Sequence, residues 1–162
     1  MRCPECGAPL PENESCQSNF HALLYRENEV GQQSADFFTT DTGHIAHFYV
    51  VSCYAIQHPV SMNYTPDALL GVCDNLARHL RGEITIPALR HEVRAANNGA
   101  QRVQRRAGDP VLEWHVTEWP YTVADLLAAP PTPQAYADAT RAWATATLAA
   151  LDAAGTPNLT RG

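Results

Sequence analysis

Lysine is missing from this chain of 162 residues, and all eleven of its basic residues are arginine. We attribute this bias to a GC-rich genome rather than to chemistry. Seventeen acidic residues give a formal net charge of −6, which disfavours a general nucleic-acid-binding protein because the neutralisation of phosphates requires clustered cations. The hydrophobic fraction of 45% is ordinary for a globular protein, and the length is sufficient for one domain with its own core.

Long apolar runs are also missing. The best run, residues 48–56, is far shorter than the roughly 20 residues of a transmembrane helix. The N-terminus lacks the apolar core of a signal peptide, so we expect a cytoplasmic protein with no membrane segment. In a reducing compartment, five cysteines, an odd number, are better explained as metal ligands or buried thiols than as disulfides.

Sequence motifs for common enzyme classes do not occur. There is no phosphate-binding glycine loop, no nucleophile elbow and no HExxH motif. The sequence therefore leaves open whether the protein is an enzyme.

Hydrophobic periodicity and helix-capping residues predict a mainly α fold, a single-domain helical bundle over residues 1–155 followed by a frayed tail at 156–162. Thr65 followed by Pro66 and Asp67, for example, is typical of a helix N-terminus. Residues 111–121 alternate in hydrophobicity and predict a short strand or extended strap. Helices are predicted to begin near Ser15, Gly43, Thr65, Ile86, Thr122 and Thr132.

Three cysteines near the N-terminus, within residues 1–16, predict a metal-binding loop. The motif Cys3-Pro-Glu-Cys6-Gly7 places two thiols two residues apart on a tight turn, and the glycine tolerates the positive φ that such a turn needs. Cys16 follows after nine residues and provides a third soft ligand, which favours zinc. A thioredoxin-like redox pair is disfavoured because no strand precedes Cys3.

A structural zinc site needs a fourth ligand, and three histidines are candidates. His58 ends a predicted helix beside Pro59 and is preferred, while His47 and His21 are the alternatives. The rise of about 1.5 Å per helical residue separates His47 and His58 by roughly 16 Å, so the two cannot bind the same ion.

His44 and His47 also lie three residues apart on one predicted helix. With Glu27 on the preceding helix they would form a second, open metal site suited to catalysis. Cys53 and Cys73 are interpreted as buried hydrophobic residues. A stretch of basic residues is interpreted as a solvated surface: Arg90, Arg94, Arg102, Arg105 and Arg106.

Two features of the chain occur in combination: Cys3-Pro-Glu-Cys6-Gly7 with Cys16, and the pattern His47-x-x-x-Val51-x-x-Tyr54-x-x-Gln57-His58-Pro59. This combination resembles a family of uncharacterised bacterial proteins catalogued as a domain of unknown function, and further similarity lies at 122–125 and 141–143. The resemblance implies His47 or His58 rather than His21 as the special histidine, and it implies no activity. Ser52 replaces an acidic residue that is usual near that position in the family.

These observations favour a zinc-stabilised helical module with a binding or structural role, whose partner is an unknown protein or small molecule. The alternative is a metal-dependent enzyme of helical-bundle type, loosely similar to the DinB-like thiol transferases, that uses His44 and His47. No histidine follows His115, so the late histidine pair of such bundles is missing.

Overall fold

A computed structural model describes residues 1–98, 102–116 and 118–161 of the chain, with only the backbone described for 96–98 and 161. The predicted mainly helical fold is confirmed. Within these residues no helix is long and apolar enough to cross a membrane. The helices are α1 (Cys16–Gln32), α2 (Asp41–Gln57), α3 (Pro66–Leu80), α4 (Ile86–Asn98), α5 (Val123–Ala128) and α6 (Pro133–Ala154).

Short-range capping explains where three of the helices begin: α1, α3 and α6. The Ser15 hydroxyl accepts from the Ser18 N–H (3.0 Å) and caps α1. Thr65 and Thr132 accept in the same way from the residue three positions later, and each is followed by proline at the first helical position. Because each cap is encoded within four residues, these starts were predictable from the sequence.

Helix α2 is the centre of the molecule. Most of its residues are apolar, and residues on most of its circumference are buried, as expected for a helix surrounded by other elements. The long helix α6 packs against it, with Tyr136 and Trp143 of α6 fully buried, and Gln57 of α2 donates to the Thr147 hydroxyl of α6 (3.1 Å). This packing fixes the C-terminal end of α2, where His58 lies.

A small two-stranded sheet lies outside the helices. Strand β1 (Pro110–Glu113) pairs in antiparallel register with β2 (Asn158–Arg161), so that Val111 faces Thr160. We expected residues 156–162 to fray, but 158–161 find hydrogen-bonding partners on β1 once Gly155, with φ of 78°, has redirected the chain after α6. The strap predicted over 111–121 is a strand only in its first residues within the described part of the chain.

The N-terminal loop belongs to the main hydrophobic core. Cys3, Cys6 and Cys16 are buried in the same cluster as residues of α1, α2 and α6. Ala8 and Leu10 of the loop are buried there too. The loop is therefore packed onto the helices, which brings its sulfur atoms to the end of α2.

Candidate metal centre

The first two sulfur atoms lie on a tight turn. The Cys3 N–H donates to the Ala8 carbonyl (2.9 Å), and the Gly7 N–H donates to the Cys3 carbonyl (2.9 Å). Gly7 adopts φ of 73°, a conformation that residues with a Cβ rarely take. This backbone geometry places the Cys3 and Cys6 side chains on one side of the turn, as the sequence motif predicts.

The third sulfur atom is placed by the start of α1. Cys16 is the first residue of this helix and follows the capping residue Ser15. Its Sγ lies 3.4 Å from the Cys6 Sγ. All five cysteines of the chain are free thiols, so this close approach is not a disulfide.

His58 completes the group at the C-terminal end of α2. Pro59 disfavours the α conformation at His58, whose φ of −131° and ψ of 57° lie outside the helical region. The His58 Nδ1 is 2.9 Å from the Tyr54 carbonyl, and because a carbonyl only accepts, Nδ1 carries the proton. The Nε2 atom therefore carries a lone pair that can bind a metal ion, and it lies 3.8 Å from the Cys3 Sγ.

The four ligand atoms of Cys3, Cys6, Cys16 and His58 all lie within 4.8 Å of one another. Zinc bonds of about 2.3 Å to sulfur and 2.0–2.1 Å to nitrogen put tetrahedral ligand atoms roughly 3.5–3.8 Å apart. The Cys6 Sγ–Cys16 Sγ distance of 3.4 Å and the Cys3 Sγ–His58 Nε2 distance of 3.8 Å are close to those values. The side chains present thus fit a tetrahedral metal ion.

Burial determines the protonation of these groups when no cation is bound. It raises the pKa of the Cys6 thiol to about 11, with Cys3 acting in the same direction and hydrogen bonds from Ala8 and Cys16 opposing the shift. It also raises the pKa of Cys16, and here both neighbouring sulfurs act in the same direction. Burial lowers the pKa of His58, so its imidazole is neutral and ready to bind through Nε2. A cation is what would stabilise three thiolates together in this environment.

Two further contacts support the centre, and the first of them, made by Glu5, was not predicted from the sequence. The Glu5 carboxylate accepts from the Val60 N–H (2.9 Å), from the Ser61 N–H (3.3 Å) and from the Ser61 hydroxyl, which attaches the loop to the residues after α2. The Tyr54 ring stacks on the His58 imidazole with centroids 4.1 Å apart. Glu5 contacts residues 55 positions away, so no local pattern could have identified it.

The model of a protein family of unknown function matches residues 1–152, a span that includes all four residues of this centre. The chain belongs to the DUF5946 family. The predicted membership of a family of unknown function is thereby confirmed. No curated protein and no solved structure matches the chain.

The other histidine candidates of this DUF5946 chain lie elsewhere. His21 is exposed on α1, and the Nδ1 of His47 is 2.9 Å from the Glu27 Oε2. Within the described residues, the cluster of three cysteines and His58 is the one group of three or more histidine, cysteine or acidic side chains arranged to hold an ion. His44, His47 and Glu27 do not form a second such group there.

The remaining candidates have structural explanations. Cys53 is fully buried and Cys73 is partly buried, and burial raises the pKa of each thiol to about 12. Gln57, the residue before His58, donates to the Tyr121 carbonyl (2.8 Å). Arg102 pairs with Asp109 at 2.7 Å on the surface, as expected for a solvated basic stretch.

The contact between His47 and Glu27 predicts a pH-dependent coupling. The hydrogen bond to the Glu27 carboxylate raises the pKa of His47 above 6.5, while partial burial and Arg90 oppose the shift. The pair is thus most stabilising below pH 6.5, where His47 is protonated in both states, and this contribution is lost as the pH rises through the folded-state pKa. The coupling energy from urea unfolding of E27Q, H47Q and the double variant should be larger at pH 6 than at pH 9. Equal values at the two pH values would contradict this assignment.

Proposed function

We propose that the protein is a zinc-stabilised helical module, in which Cys3, Cys6, Cys16 and His58 hold one zinc ion. The observation that supports this most directly is the convergence of three thiols and one imidazole nitrogen within 4.8 Å. The ion would join the N-terminal loop, the start of α1 and the end of α2, three segments that are far apart in sequence. Its contribution is folding free energy.

The donor set favours zinc over other common cations. Three thiols and an imidazole are soft or intermediate ligands, whereas magnesium and calcium prefer oxygen. A Cys3His set in tetrahedral arrangement is a usual structural zinc site. When bound, zinc would supply a positive charge that stabilises the cysteines as thiolates, and it would do so without redox chemistry.

A structural role is favoured over a catalytic one. Catalytic zinc sites keep one position open for water or substrate, while structural sites have four protein ligands. The four residues here are between 1% and 7% exposed, which leaves little access for a substrate. We do not extend the proposal to a DinB-like metal-dependent enzyme, because in the described residues His44 and His47 lack a third ligand.

Redox chemistry bears on the cellular location, and the net charge bears on the class of partner. Free thiols that bind zinc require a reducing compartment, which supports a cytoplasmic location. The net charge of −6 disfavours nucleic acid, so we propose a protein or a small molecule as the partner.

Elemental analysis of the purified, dialysed protein tests the metal assignment. We expect one zinc per chain in the wild type and in C73S, and substoichiometric zinc in C3S, C6S, C16S and H58Q. Cys73 is the matched control because it is a thiol outside the cluster. A wild-type protein that takes up no zinc, or an H58Q variant that keeps a full equivalent at unchanged affinity, would refute the proposed ligand set.

A further inference from the structure

A cleft of about 440 Å³ lies between α2, α3 and α4, on residues other than the four of the metal centre. This volume falls in the range of small-molecule sites, about 300–1,000 Å³. Its apolar lining comes from three helices and includes Phe48, Val51, Val72, Leu89 and Val93.

The ionisable side chains that line this cleft are all basic. Arg90, Arg94, His44 and His47 all line it, and none of the lining residues is acidic. This is unusual in a chain whose net charge is −6. Neither Arg90 nor Arg94 takes part in a salt bridge within the described part of the chain, so both guanidinium groups are available to an anion.

A buried carboxylate fixes one of these histidines. Glu27 is only 4% exposed, and its Oε2 accepts from the Nδ1–H of His47 (2.9 Å). The Nε2 of His47 is then the ring nitrogen left to contact a ligand. Because Glu27 Oε1 has no hydrogen-bond partner among the described atoms, the buried carboxylate is held there at a cost in free energy, which is more typical of a functional site than of packing alone.

We propose that this cleft binds a small organic carboxylate with an apolar body. The carboxylate would lie against Arg90 and Arg94, whose planar groups match its geometry, and the hydrocarbon would cover Phe48, Val51 and Val93. The site is separate from the zinc proposal, since it shares no residue with the metal centre.

The size of the cleft defines the ligand further. At about 30 Å³ per non-hydrogen atom, the volume share of water in the liquid, the cleft accommodates roughly 15 such atoms. Unbranched carboxylates of medium chain length, such as octanoate, are within this limit. Longer acyl chains would extend into solvent.

Calorimetric titration with octanoate, 1-octanol and octylammonium tests the proposal on the zinc-loaded protein. We expect one saturable site for octanoate and binding weaker by roughly tenfold or more for the neutral and cationic analogues. R90Q and R94Q should each weaken octanoate binding by a similar factor, while R81Q, an exposed arginine outside the cleft, should leave it unchanged. Equal binding of octanol and octanoate would overturn the proposal, as would the absence of saturable binding.

Two variants that introduce opposite charges at Val93 provide a second test that does not depend on removing arginine. Val93 is 41% exposed, so both V93D and V93K should fold. Both variants remove the apolar contact of Val93, but V93D also adds a charge that repels a carboxylate, so V93D should weaken octanoate binding clearly more than V93K. An identical response to both would also overturn the proposal. The zinc content of all these variants should equal that of the wild type, which separates failure of this proposal from failure of the metal assignment.

Discussion

Removal of zinc by a chelator is expected to lower the Tm of the protein strongly. Binding to the folded state alone stabilises it by about 4 kcal/mol when free zinc is about 1,000 times Kd. For a chain of this length, that corresponds to roughly 8–16 °C in Tm. The physical reason is that the proposed ion would hold Cys3, Cys6, Cys16 and His58 together, and with them three chain segments that are far apart in sequence. Differential scanning calorimetry with and without chelator measures the shift.

Variants of single ligands separate the loss of metal from other effects of the chelator. C16S and H58Q should begin with a reduced Tm and show little further response to the chelator. C73S should keep the full wild-type response, because this thiol lies outside the cluster. A wild-type protein that releases its zinc with no change in Tm would show that the metal is not structural.

Local sequence was sufficient to predict most of the helices. The capping residues Ser15, Thr65 and Thr132 act on N–H groups three positions later, so their effect is visible in a short window. The CPxCG turn is local in the same sense, since its hydrogen bonds join residues at most five positions apart. Features of this kind need no knowledge of the tertiary fold.

Features that depend on distant partners were less predictable. The sequence left three histidines open as a fourth ligand, and only the packing of the loop onto α2 shows which ring nitrogen lies beside the sulfurs. The partner of Glu5 and the pairing of β2 with β1 are equally non-local. Such contacts depend on how the helices assemble, which hydrophobic periodicity alone does not specify.

Replacement of Trp143 is expected to have the second large effect on stability. This side chain of α6 is fully buried in the main hydrophobic core. Truncation of a buried tryptophan to alanine costs about 3–5 kcal/mol through lost contacts and a cavity. The indole N–H has no hydrogen-bond partner among the described atoms, so W143F removes an uncompensated donor along with part of the ring. We therefore expect W143F to lose much less stability than W143A in urea unfolding. T145A, at an exposed position of the same helix, should stay close to wild type, and equal losses for W143F and W143A would mean that the indole N–H is satisfied in solution and important for stability.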